Sequence, residues 1–159
     1  MSNSVPVNLS QTFCSYCGRS PKDPVERTSR VCVNCELGMI LRAPEGDAPR
    51  PRDPFLIVDD KLTVQAISRS AERALGVAEP DGVCELVEEF LRPADGKRER
   101  TDVAMLLELA AAGVPRADTV ELSSVNEPRR RFRGRVTSCG HPRAALLVLA
   151  PTGRHRRPA

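Results

Sequence analysis

Residues 54–76 read PFLIVDDKLTVQAISRSAERALG. Phe55–Val58 is an apolar, partly β-branched run that stops at Asp59 and Asp60. After that acidic turn, Leu62, Val64, Ala66 and Ser68 alternate with Thr63, Gln65 and Ile67. A period of two marks a half-buried strand, so the two runs predict a hairpin turning at Asp59-Asp60-Lys61. Ser68 stands where a helix N-cap is needed, because its hydroxyl can accept a backbone N–H of the first turn. Ala71, Ala74 and Leu75 give that helix a buried side, and Gly76 is placed to end it in a left-handed conformation.

The chain downstream continues the same domain. Val83, Leu86, Val87 and Phe90 fall at i, i+3, i+4 and i+7, the spacing of an amphipathic helix, which Pro93 and Asp95-Gly96 would stop. Val103, Leu106, Leu107 and Ala110 repeat the pattern from about Thr101, with Gly113 at the end. Three strand-like segments follow, at 119–125, 130–138 and 144–150. Their turns, Asn126-Glu127-Pro128 and Gly140-His141-Pro142, contain proline, which a central strand would exclude.

Strand, strand, helices and three closing strands are the order of an α+β domain. This order resembles the PAS family over about residues 54–151. The resemblance is carried by Phe55–Asp59, the helix from Ser68 to Gly76, the helix ending at Gly113 and the last three strands. It implies a five-stranded antiparallel sheet with helices on one face. It also implies a sensor or protein–protein interaction module, often dimeric. Members that hold haem usually offer a histidine on the long helix before the third strand, and Thr101–Ala112 has none. Flavin members carry cysteine in a particular run that the surroundings of Cys84 lack. Neither haem nor flavin is expected.

Before this domain lie two Cys-x-x-Cys pairs, Cys14/Cys17 and Cys32/Cys35, fourteen residues apart. Two such pairs can close a tetrahedral thiolate site on zinc, and that structural Zn2+ is the cofactor expected here. Gly18 lets the chain turn after Cys17. A hairpin through Arg30–Cys32 and a helix from Glu36 would complete a module at 12–42, similar to the treble-clef or zinc-ribbon group. A redox pair would instead sit in a larger α/β domain, which neither pair has. Cys84 and Cys139 stand alone and read as small buried hydrophobes.

Residues 1–11 are polar and read as disordered. Residues 43–53 hold three prolines and a glycine, read as a semi-extended linker and domain boundary. Residues 152–159 form a basic tail. Aromatic residues make up only 3% of the chain, so the core must be built from Leu, Val, Ile and Ala. No stretch has the roughly 18 apolar residues of a membrane span, and residues 1–8 lack the pattern of a secretory signal, so a cytoplasmic protein without membrane contact is expected.

Charge is uneven. The formal net charge is +3, and residues 127–159 hold nine arginines against Glu127 alone. Along the fourth strand Arg131, Arg133 and Arg135 share one face, while Phe132, Gly134 and Val136 share the other. The apolar set belongs inside, so the arginines predict a stripe on the outer face of the sheet. If the preceding hairpin turns near Glu127, Glu121 lies opposite Arg133.

Enzymatic chemistry is not expected: a nucleophile elbow, a phosphate loop and a histidine-centred triad are all missing. The reading is a signalling or regulatory protein. Its PAS-like domain senses a small ligand or binds a protein partner or homodimer mate, with the zinc module as a second contact surface and Arg131, Arg133 and Arg135 as candidate partner-binding residues. The alternative is a nucleic-acid-binding regulator using the zinc module, these arginines and Arg154–Arg157, whose binding would fall steeply with salt.

Overall fold

The computed structural model describes residues 9–23, 29–94, 97–115 and 117–152, with backbone alone at 97–101. The elements run β1 (Gln11–Cys14), β2 (Ile40–Ala43), β3 (Phe55–Val58), β4 (Val64–Ile67), α1 (Arg69–Leu75), α2 (Glu79–Gly82), β5 (Leu91–Pro93), α3 (Lys97–Ala111), β6 (Asp118–Ser124), β7 (Arg131–Cys139) and β8 (Ala144–Pro151). β1 and β2 pair with each other, and the other strands form one antiparallel sheet in the order β4-β3-β8-β7-β6-β5.

The opening hairpin forms as its sequence dictates. β3 and β4 pair from Leu56↔Ile67 to Val58↔Val64, with the register slipping between Ile57 and Val58. The slip leaves Gln65 unopposed, so Val64 and Ile67 both reach the core despite their odd spacing. Asp59 closes the turn by accepting from the Lys61 and Thr63 N–H groups. Ser68 Oγ caps α1 through the Ala71 N–H at 3.1 Å, and Gly76 ends it at φ 66°. Pairing of β3 with β8, Leu56 against Leu147, joins the first hairpin to the closing meander.

One expected helix is absent. Residues 83–90 do not form a helix but lie along the open edge of β4. The Cys84 N–H donates to Val64 O, the Val64 N–H to Glu85 O, and the Val87 N–H to Leu62 O. A short 3-10 turn at Val87–Glu89 follows, then β5. Val87 and Phe90 are buried as the helical pattern required, but Leu86 is exposed. Two buried residues three apart fit a tight turn as well as a helix, and an unpaired strand edge offered these backbone groups better partners. β5 pairs with β6 and gives the sheet a sixth strand. α3 begins at Lys97, four residues before the expected start, and Gly113 follows it at φ 86°.

Both faces of the sheet are covered. On one, Leu56, Val58, Phe132, Val136, Leu147 and Leu149 pack with Leu75 of α1 and Leu107 of α3. On the other, Phe55, Ile57, Cys139, Leu146 and Val148 pack under Phe13, Leu41 and Ala43 of the β1–β2 pair. The Arg42 and Gly140 backbones exchange hydrogen bonds of 2.6 and 2.9 Å across this contact. Residues 44–53 are not a semi-extended linker. They fold through two turns, Asp47 N–H to Pro44 O and Asp53 N–H to Arg50 O, and Ala48 packs into the second layer. Gln11 already belongs to β1, so the ordered chain begins before residue 12; residues 1–8 lie outside the described part.

Thr137, on β7, is 2% exposed, and its hydroxyl has no hydrogen-bond partner among the described residues. A buried hydroxyl that forms no bond loses its hydration without return. Thr137→Val keeps the shape and removes the polar atom, so it is expected to raise stability by about 1 kcal/mol. An unchanged or lower urea midpoint for the variant would mean that the hydroxyl is satisfied in solution.

Candidate metal centre and its contact with the sheet

Cys14 ends β1 and Cys17 follows in the turn after it. Cys32 and Cys35 occupy the turn that leads to β2. The four sulfurs lie within 4.8 Å of one another. Cys14 Sγ is 3.6 Å from Cys35 Sγ, and Cys17 Sγ is 3.8 Å from Cys32 Sγ. A tetrahedron with metal–sulfur bonds of about 2.3 Å has edges of about 3.8 Å, so the donor set fits one ion. The same spacings are far longer than the roughly 2.05 Å of a disulfide.

The chain turns the same way after each pair. Gly18 stands at φ 73° and Glu36 at φ 60°. In both turns backbone N–H groups point at sulfur: Tyr16 and Cys17 donate to Cys14 Sγ, and Gly38 donates to Cys35 Sγ, each at 3.4 Å. Such donors stabilise thiolates and orient them for a metal. A Cβ on Gly38 would collide with Cys14 Sγ and stand 2.8 Å from the Tyr16 nitrogen, so glycine is required there.

The expected helix from Glu36 does not form. Left-handed Glu36 is followed by a bend and then β2, with Val31 opposite Met39 in a bridge. The donor set is therefore two turns on strands, the ribbon arrangement, and not a pair carried by a helix. The apolar run Met39-Ile40-Leu41 suits either element; β1 supplied a strand partner and decided it.

The thiols differ sharply. Burial pushes the Cys14 thiol well above its ordinary range, and burial raises Cys32 too. Burial acts the same way on Cys35. There the Gly38 and Leu37 N–H groups and the Cys14 and Cys32 side chains outweigh it and hold the thiol at about 7. Outside the cluster, burial pushes Cys139 up to about 12. Cys139 fits the expectation of a small buried hydrophobe, but Cys84 does not: it is exposed, at φ 74°.

Tyr16, between the first two ligands, ties the centre to α1. Its hydroxyl donates to Glu72 Oε1 at 2.6 Å, and the Arg69 guanidinium lies 5.1 Å from its ring centroid. Hydrogen bonding to Glu72 and burial raise the phenol above its usual value. The other Glu72 oxygen accepts from the Glu79 N–H that opens α2. Nothing in the sequence linked Tyr16 to Glu72, which are 56 residues apart.

The arginine stripe is where the alternation placed it, but not all of it is available. Arg133 is paired with Glu121 at 3.1 Å in the expected register. Such an exposed cross-strand pair contributes about 0.2–1 kcal/mol. Arg135 is half-buried and donates to the Gly46 and Asp47 carbonyls, with the Asp47 carboxylate at 3.9 Å. Arg131 is exposed. Residues 154–157 lie outside the described part.

No family model and no curated protein matches the chain. Solved structures do. The PAS domain of an HTR-like protein from Haloarcula marismortui superposes with a TM-score of 0.50 at 12% identity, covering 63% of this chain and 86% of that one. A PAS domain from a two-component sensor histidine kinase gives 0.44 at 7% identity, over 63% and 85%.

The C-terminal part of the chain has the PAS fold. The five strands expected of the sheet, in the order β4-β3-β8-β7-β6, are extended by β5 at one edge, and the four-cysteine module lies on its outer face. No helix among the described residues is long and apolar enough to cross a membrane.

Proposed function

We propose that this protein is a signalling or regulatory module that acts by contacting other proteins, with zinc as the structural ion of its N-terminal part. Four sulfur donors with no free coordination position suit a structural zinc, held by Cys14, Cys17, Cys32 and Cys35. Thiols that must stay reduced to bind it suit a cytoplasmic setting.

One observation carries the reading. The metal module buries Phe13 and Leu41 against the sheet but turns Val31, Val33, Leu37 and Met39 outward, between 50% and 71% exposed. Large apolar side chains grouped on a rigid, metal-clipped turn mark a protein-contact surface. In the PAS part, the cavity beside α3, lined by Leu62, Val87, Leu107, Leu122 and Leu147, measures about 50 Å3, space on the order of a few water molecules.

Native mass spectrometry of protein purified without added metal tests this. The expected result is one zinc per chain, no retained cofactor, and a dimer that Val33→Ser/Leu37→Ser abolishes without loss of zinc. A monomer at every concentration would remove the homodimer form of the proposal. Nucleic-acid binding is the weaker reading, because Glu121 and the 46–47 turn already engage two of the three stripe arginines. Salt-sensitive binding of unrelated duplex DNA would revive it.

A further inference from the structure

A second group of arginines stands beside α1. Arg52, Arg73 and Arg130 line an open cleft of about 530 Å3, with Ser70 beside them and Pro54 and Pro151 as apolar walls. Three elements of the PAS part meet here. The turn at 50–53 is locked by Arg50 N–H to Asp53 Oδ2 at 2.9 Å and is seated on α1 by Ser70 Oγ to Pro51 O at 3.3 Å. Arg73 lies in the last turn of α1. Arg130, just before β7, is held over that turn by its Nη1 donating to Ala74 O, with Glu127 Oε2 3.6 Å from its Nε.

The C-terminal carbonyls of α1 account for Arg73 and Arg130, since cations favour that end of a helix. They do not account for Arg52. Arg52 and Arg73 make no hydrogen bond or ion pair with any described residue, and Arg130 uses only part of its five donors. Glu127 partly offsets Arg130, and the remaining like charges facing the cleft repel one another until an anion joins them. A guanidinium presents a planar fork that matches the oxygens of phosphate two at a time. The volume falls in the range of small-molecule sites, and Pro54 and Pro151 offer an apolar face beside the charged groups.

We propose that this cleft binds a small organic phosphate, with the phosphate on Arg52, Arg73 and Arg130 and a ring against the apolar wall. The site is separate from the metal module and from the cavity beside α3, so its test is independent of the partner-contact reading.

Titration calorimetry of the full, zinc-loaded chain with phenyl phosphate, inorganic phosphate and phenol decides it. Phenyl phosphate is expected to bind saturably and more tightly than inorganic phosphate, with phenol silent. Arg52→Gln/Arg73→Gln should weaken binding at least about tenfold, the size lost with one charge-assisted hydrogen bond. Metal content and melting temperature should not change, because both side chains are exposed. Arg143→Gln, in the β7–β8 turn at the opposite end of that hairpin from Pro151, should bind as the parent does. Equal weakening by Arg143→Gln would reveal unspecific charge screening and overturn the site. Absence of saturable binding, or inorganic phosphate binding as well as phenyl phosphate, would overturn it too. Duplex DNA binding through the same arginines in place of phenyl phosphate would make the surface a nucleic-acid contact and end the small-molecule proposal.

Discussion

Stripping the metal with a chelator, or replacing Cys35 with serine, is expected to unfold the β1–β2 module and lower the melting temperature of the whole chain by about 10 °C or more. Few residues hold that module together. Its own core is the three buried cysteines with Tyr16, Cys35 and Ile40 packed around them. A segment of little more than 30 residues, Gln11 to Ala43, with so little to bury relies on its metal. A structural zinc site supplies an apparent ~10–16 kcal/mol at neutral pH, as much as the entire stability of a typical domain. Without it, four sulfurs gathered within 4.8 Å of one another have no reason to stay together.

The loss should spread to the sheet, because the module covers Phe55, Ile57, Leu146 and Val148. Tyr16 is the single tyrosine and the chain has no tryptophan, so its fluorescence reports the Glu72 and Arg69 contacts alone. Chelation should change that emission, expose a dye-binding apolar surface and release about one zinc per chain. If emission and melting temperature stay put after the zinc is gone, the ion is not structural. Less than half an equivalent of zinc with titrating free thiols would sink the four-cysteine site itself.

The chain disclosed its short-range structure well and its layering poorly. The alternation in Arg131–Val136 fixed which side chains face the core, and counting from the turn near Glu127 placed Glu121 opposite Arg133, where the pair forms. The cysteine spacing gave the donor set. In each case the signal was a period or spacing within a few residues. The covered outer face had a signal too, but one of composition. Phe55-Leu-Ile-Val58 and Ala144-Ala-Leu-Leu-Val-Leu149 are apolar without alternation, which in a strand means that both faces are buried. An antiparallel sheet with one wet face would have shown polar residues at every second position.

Residues 83–90 failed for a different reason. Their period was real, and Val87 and Phe90 are buried, but the edge of β4 competed for their backbone and its position could not be known before the sheet was assembled. The contact of Tyr16 with Glu72 was beyond reach on the same ground. It depends on which face of the sheet the module covers, and no local pattern carries that.

Phe55→Ala should destabilise the chain by about 3–5 kcal/mol, the cost of emptying a buried aromatic site. Phe55 is 1% exposed at the start of β3, and its ring meets Phe13 of β1 edge-on, 5.6 Å between centroids at 84°. It thus sits where the metal module and the PAS sheet share one core. Two pictures of the molecule make different predictions at this position. If a flexible linker merely tethered a zinc module to a PAS domain, Phe13 and Phe55 substitutions would act on separate folding units and their effects would add within about 0.3–0.5 kcal/mol. If the module is the second layer of the sheet, the rings depend on each other. Phe13→Leu and Phe55→Leu should then show a coupling of about 0.5–1.5 kcal/mol in a double-mutant cycle read from urea midpoints of the zinc-loaded protein. The layered picture also requires that chelation abolish the coupling, since Phe13 leaves the sheet when its module unfolds. Leucine keeps each site filled, so the cycle measures the ring contact and not a cavity. Additive leucine variants would return the N-terminal part to the status of a tethered appendage.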